Sequence, residues 1–476
     1  MLFNSLHFVF FFIVVTSIYF LLPHRFRWFV LIIASCYFYM VFIPIYIFIL
    51  GGTILIDYLA GIWLEDTQGK KRKYFLIASL IANIGVLAIF KYYNFLNRNL
   101  SEVLNSFGYH NSIPYLSILL PIGLSFHTFQ AMSYTIEVYR GNQKAERNFG
   151  IYALYVMFYP QLVAGPIERP QNLLHQFYEK HYFEFTRIVE GLKLMLWGFF
   201  LKLVIADRLA IYVNAVYNNP DKHTGITLAV ATVFFAFQVY CDFCGYSNIA
   251  IGAGKVMGFK LMTNFNRPYF SHSISEFWKR WHISLSTWFK DYLYFSLGGN
   301  RVSIPRWYFN LLIVFVISGL WHGANWTFII WGALNGFYLV FAIITKNWRK
   351  RFIQTIGLDK LPKFNNFLQI LITFVLTCFA LTFFRANSTR DALLIAKKIF
   401  SFKGPLYIEV LYQFIYCIVG IVFLLLIEIK QEYYNHTSLP FKTNNWLSEQ
   451  LAYGMLVILI LMLGVLDGGE FIYFQF

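Results

Sequence analysis

One imidazole, His322, lies within a run from Trp307 to Thr345 that contains no Asp, Glu, Lys or Arg. Trp321, Asn325 and Trp326 stand beside it as hydrogen-bond donors. Gly319 and Gly323 bracket it and would let a second backbone or a thin substrate approach closely. An ionisable side chain inside an apolar span is costly and marks function by default. The competing reading is a histidine that only bonds two helices together. Apolar surroundings disfavour a charged ring, so the imidazole is expected to be neutral and available as a base. A base serves a protic nucleophile, which points to transfer of a group onto a hydroxyl. The chain has no H-E-x-x-H pair, no G-x-S-x-G elbow and no Walker loop.

Three other stretches carry chemistry-bearing residues. "LPIGLSFHTFQAMSY" (120–134) sets His127, Gln130 and Tyr134 at three- and four-residue spacing, hence on one helix face. "YPQLVAGPIERPQNLLHQF" (159–177) holds three prolines, with Glu168 and Arg169 between two of them. Prolines at 166 and 170 cannot both continue a helix. Irregular backbone at membrane depth survives only where protein or a watery cavity meets it. The segment 160–172 is therefore expected either to dip into or cap a protein-lined funnel, or to form an ordinary loop with a Glu–Arg pair. "SISEFWKRWHISLSTWFKDYLYFSLGGNR" (273–301) alternates Trp278, Trp281 and Trp288 with Lys279, Arg280, His282, Lys290 and Asp291. It is too charged for a lipid span and too aromatic for a solvated loop, and an interfacial or re-entrant helix fits it. Cys241 and Cys244 have C-x-x-C spacing but lie in an apolar helix with no second pair, so two small buried side chains are expected there.

The elements that must position these residues are membrane helices. Of 476 residues, 58% are hydrophobic and only 13% charged, against about 25% charged in a soluble domain. Apolar runs near 6–22, 28–50, 74–96, 115–136, 149–165, 191–206, 226–251, 307–326, 328–345, 366–384, 408–428 and 448–466 predict about 11–12 crossings, one or two of them re-entrant. The fold class is thus an all-α polytopic membrane protein. It is read as a single integral-membrane unit over 1–476, because no polar stretch is long enough for a separate soluble domain. The net charge of +16 does not point to nucleic acid. The basic residues cluster in short loops, at 24–27, at 70–73 and at Lys346 with Arg349–Arg351, as the positive-inside bias requires. That bias places the N-terminus outside, and the opening "MLFNSLHF" reads as a retained helix rather than a cleaved leader. The basic segment from Arg385 to Lys403 leaves the later topology open.

"GLWHGANWTFIIWGALNG" and "ISEFWKRWHISLSTWFKDYLYFSLGGNR" together resemble the signature region of the membrane-bound O-acyltransferase family, in particular its alginate O-acetyltransferase-like branch. "MLFNSLHFVFFF", "LPIGLSFHTFQ", "YPQLVAGPIERP" and "QVYCDFCGYSNIAIGAGKVMGF" match that branch as well, so the likeness runs over nearly the whole chain. The resemblance implies a ring of helices around a central tunnel, His322 as the essential histidine and His282 at the second polar site. It also implies acetyl transfer to an extracytoplasmic polysaccharide from a bacterial cytoplasmic membrane. Trp281, Lys279, Arg280, Trp321, Asn325 and Gln130 are the candidate substrate contacts. Lys279 and Arg280 could meet the phosphates of a cytosolic thioester such as acetyl-CoA, although the positive-inside bias explains them equally. No bound cofactor or metal is expected. Cys244 and His127 depart from the Ser and the aromatic residue expected at those places.

The chain closes on "FIYFQF" (471–476) after Gly468-Gly469. Composition favours an aromatic interfacial anchor. The resemblance instead implies Tyr473 as a covalent acyl carrier that hands the acetyl group to an external SGNH-type transferase. Six extended residues reach about 20 Å, and the midplane lies about 15 Å from the edge of the hydrocarbon core. Peptidoglycan is the acceptor favoured here, because the Lys-, Asn-, Ile- and Phe-rich usage sits apart from GC-rich alginate producers; alginate or cellulose is the alternative. A proton-coupled transporter with His127, His282 and His322 as relay is the rival from another class.

Overall fold

In the computed structural model the described residues are 1–117, 121, 123–163, 165–434, 439–442, 445–466 and 471. Helices dominate, and the chain divides into two compact units, Met1–Met195 with Ser247–Met262, and Leu196–Tyr246 with Thr263–Phe476.

The first unit begins with α1 (Leu6–Leu21), α2 (His24–Met40) and α3 (Tyr46–Asp66), followed by the long α4 (Lys70–Ser106). Ser5 caps α1 by accepting the Phe8 N–H at 3.2 Å. The expected span at 28–50 is broken at Pro44, so its two halves belong to different helices. The basic clusters anchor ends. Arg27 donates to the carbonyl of His181, and Arg72 reaches the carbonyls of Leu64, Val138 and Tyr139. Next come α5 (Leu124–Arg140) and α6 (Phe149–Met157). Both are buried along nearly their whole length, and neither is among the helices long and apolar enough to cross a membrane.

Among the described residues eight helices meet that standard, against the 11–12 crossings expected. The difference has a physical cause. Hydropathy marks a segment as apolar without saying whether lipid or protein covers it, and α5, α6 and the proline-rich stretch after them are covered by protein; α1, by contrast, is exposed along one side but has only 16 residues.

α7 (Phe185–Phe199) continues as a π-helix over Phe200–Ala206 into α8 (Asp207–Tyr217). α9 (Gly225–Met257) has 33 residues, about 50 Å of helix. The second unit then carries two short helices, α10 (Ile274–Arg280) and α11 (Ile283–Trp288). α10 buries Ile274 and Phe277 and exposes Ser275 and Lys279, whereas α11 buries Ser284, Leu285 and Trp288. The hairpin α12 (Ile304–His322) and α13 (Trp326–Ile344) follows, then α14 (Pro362–Arg385), α15 (Thr389–Ser401), α16 (Leu411–Tyr433) and α17 (Trp446–Leu463). α16 and α17 keep large apolar side chains such as Leu426, Leu451 and Met462 exposed, as lipid-facing helices do.

The hairpin places the histidine. α12 and α13 have 19 residues each, about 28 Å, and pack backbone to backbone. A Cβ added at Gly319 would lie 2.2 Å from the Phe328 carbonyl oxygen, and one at Gly332 2.3 Å from that of Phe315. The turn at 323–325 is closed by Asn325, whose Oδ1 accepts the Thr327 N–H at 3.2 Å.

Candidate active site

His322 is the last residue of α12, at the hairpin tip, and is 4% exposed. Three rings cage it edge to face. Trp321, Trp331 and Phe384 have centroids at 4.8, 5.0 and 5.4 Å. Trp321 also faces His282 at 6.3 Å, so one indole lies between the two histidines that the sequence singles out.

His282 joins α10 to α11 with φ 43° and ψ 55°, a left-handed conformation that costs a non-glycine residue of order 1 kcal/mol or more. Backbone pairing holds it there. The Asn266 N–H donates to the Arg280 carbonyl and the Ile283 N–H to the Asn264 carbonyl, both at 2.9 Å, and the Ser284 hydroxyl donates to Asn264 Oδ1 at 2.9 Å. The ring is fully buried against Phe243, 4.5 Å away. Burial pushes its imidazole down to about 3, so it is neutral at physiological pH.

The remaining candidates separate by environment. Trp281 is buried and stacks on Phe277 at 5.5 Å. Lys279 is exposed and lines a chamber of about 260 Å³ with Lys290, Phe289, Val314, Phe315 and Ser318. Arg280 instead pairs with Glu276 at 2.7 Å and Glu432 at 2.8 Å, and Arg267 shares Glu432 at 2.6 Å. Asn325 serves as the cap of α13. Gln130 lies in the first unit, where its amide and that of Gln161 both donate to the Tyr155 carbonyl. Nearby in the same unit Glu168 is fully buried and accepts the Met262 N–H, which fits a protein-lined segment rather than an exposed loop. Tyr473 lies outside the described residues. Phe471, two positions before it, is 1% exposed, with its ring 4.6 Å from Tyr246 and 5.5 Å from Phe243. Phe243 therefore contacts both Phe471 and His282.

Sequence reading missed Trp331 and Phe384, which look like any aromatic residue of an apolar helix. It also missed a buried charge cluster. Lys202 on the π-helix lies 2.8 Å from Asp207 and 2.6 Å from Asp242. A lysine at 202 and an aspartate at 242 inside apolar runs were a legible signal.

Two buried imidazoles, each within ring contact of the Trp321 indole, suit general-base catalysis on a hydroxyl nucleophile. The comparisons with known proteins bear on the class of reaction. Residues 146–384 match the membrane-bound O-acyltransferase family. Over 405 residues the chain is 39% identical to the probable alginate O-acetylase AlgI of Pseudomonas aeruginosa, covering 84% of this chain and 75% of that protein. It is 35% identical over 401 residues to the peptidoglycan O-acetyltransferase of Helicobacter pylori, covering 79% and 74%. It is 30% identical over 290 residues to the teichoic acid D-alanyltransferase of Streptococcus thermophilus, covering 54% and 66%. These likenesses displace the transporter reading. The chain belongs to the membrane-bound O-acyltransferase family and is a multi-pass membrane O-acyltransferase.

Proposed function

We propose that this enzyme sits in a bacterial cytoplasmic membrane and moves acetyl groups from cytosolic acetyl-CoA to an envelope polysaccharide, with peptidoglycan as acceptor. His322 is the base and Tyr473 the first acceptor. The phenol proton passes to the His322 imidazole, and the phenolate oxygen attacks the acetyl carbonyl. The carbon–oxygen bond forms as the carbon–sulfur bond breaks. The thiolate takes the proton from the imidazolium and leaves as a thiol. An external SGNH-type transferase then carries the acetyl from the tyrosine ester to a sugar hydroxyl. A phenol of pKa about 10 is roughly 0.1% ionised at pH 7, so base assistance of about 10²–10⁴ is needed.

The observation that carries this reading is Phe471, buried one ring away from His282 and two residues before Tyr473. Two extended residues reach about 7 Å. The test is ester-linked acetate on envelope glycans in cells carrying His322→Ala or Tyr473→Phe. Both should lose it. Full acetylation with Tyr473→Phe would leave direct transfer without the tail. A second reading, an alginate-type exopolysaccharide as acceptor, is favoured by the 39% identity to AlgI. Assigning the lost acetate to muramic acid or to secreted polysaccharide separates the two.

A further inference from the structure

The chain leading to the C-terminal tail is held at its root as well as at Phe471. α17 ends at Leu463, whose carbonyl is one of the last-turn acceptors that a helix leaves open. Arg208 Nε donates to it at 2.7 Å, and the same guanidinium lies over the Tyr416 ring at 5.3 Å. Two residues on, the Val465 N–H donates to the Leu203 carbonyl at 3.0 Å. The π-helix Phe200–Ala206 makes that bond possible. In an α-helix the Asp207 N–H would take the Leu203 carbonyl; here it bonds one residue further back, to Lys202.

The same π-helix is tied to α9, where Lys202 pairs with Asp242 at 2.6 Å. Phe243, the next residue of α9, and Tyr246, one turn on, are the rings that seat Phe471. Root and seat of the tail therefore stand on one pair of bonded elements. Six residue steps separate Val465 from Phe471, about 20 Å at full extension. We infer that Arg208 is a positioning residue for acyl transfer: together with the Leu203 carbonyl it pins the root of the tail, so that Phe471 finds its seat and Tyr473 is delivered from a fixed point. This rests on Tyr473 as the acyl carrier, the reading given under Proposed function. A tethered group reacts through the local concentration its anchor imposes, and freeing the end of α17 dilutes it. Loss of one hydrogen bond from a charged donor corresponds to a factor of about 10–100.

The experiment uses detergent-solubilised full-length enzyme with labelled acetyl-CoA. It reads acetylation of Tyr473 and, separately, of the free hexapeptide FIYFQF added in solution. Arg208→Gln should lower the initial rate at Tyr473 by about 10-fold or more, with the KM for acetyl-CoA unchanged. The same variant should acetylate the free peptide at least as fast as wild type does, because the peptide needs no root. Arg208→Lys, which can still donate to the Leu463 carbonyl, should recover part of the loss. Val465→Pro deletes the N–H of the second bond and should show the same split if Arg208→Gln fails to accumulate. An unchanged rate at Tyr473 in an active Arg208→Gln or Val465→Pro enzyme would overturn the anchor. So would an equal fall with the free peptide, which would mark a damaged site. A wild-type enzyme that labels the free peptide and never Tyr473 would overturn the carrier reading itself, and the anchor with it.

Discussion

Replacing Phe471 by Ala isolates what seating the tail contributes to turnover. The ring is 1% exposed and touches two tyrosine- and phenylalanine-type partners, Tyr246 and Phe243. Burying a phenylalanine side chain stabilises by about 1.5–3 kcal/mol, and each aromatic contact adds about 0.5–1.5 kcal/mol. At the low end the seat is worth about 2.5 to 3 kcal/mol, a factor of about 10² in the fraction of time the tail is docked. If acyl transfer needs the docked tail, Phe471→Ala should lower the rate of acetyl-tyrosine formation by about 10². The KM for the thioester should stay where it is, because the donor enters by a different route. Phe471→Leu should recover a good part of the loss. The assay is mass spectrometry of the C-terminal peptide after a timed pulse of labelled acetyl-CoA, at equal amounts of enzyme in the membrane. Acetylation of Tyr473 at the wild-type rate in Phe471→Ala would refute the argument, and so would a change confined to KM.

Three further outcomes are expected. Gly332→Ala places a Cβ 2.3 Å from the Phe315 carbonyl oxygen and should destabilise the hairpin by about 1–3 kcal/mol or more, read as a lower melting temperature in detergent together with lost activity. Lys202→Met leaves Asp207 and Asp242 buried without their shared cation and should cost about 3–5 kcal/mol. Adding Asp207→Asn and Asp242→Asn should restore much of that, and failure of the triple variant to recover would count against charge as the cause. His282 is held down to about 3 by burial. The unfolded chain takes up a proton there near pH 6.5 and the folded chain does not, so this residue's contribution to stability falls as pH drops from about 6.5 towards 3. His282→Gln should flatten that part of a melting-temperature profile.

Much of the site was legible because membrane burial makes charge conspicuous. A histidine in a charge-free run and a tryptophan-rich segment too charged for lipid both mark themselves, and the structure brings His322 and His282 to the same indole, Trp321. What stayed hidden depends on pairing across long separations. Arg280 looks like a phosphate ligand beside Lys279, but its partner Glu432 is 152 residues further on. Trp331 and Phe384 become a cage only when α13 and α14 close around the tip of α12. Gln130, read as a substrate contact from its helical face, is engaged by a main-chain carbonyl that no spacing rule reveals. The fold was legible in class. The number of crossings was less so, since α5 is polar enough to be a buried helix and apolar enough to pass for a span.

The glycine seam between α12 and α13 has a bearing on how the enzyme tolerates its surroundings. Because the two main chains touch at Gly319 and Gly332, the pair is expected to tilt as one plate when the bilayer thickens or thins. Substitutions on its outer surface do not reach the seam. The height of residue 322 above the arginines and lysines near Arg306 and Lys346 is then set by the rise of the helix alone. Turnover should change little when host lipids lengthen or shorten their acyl chains.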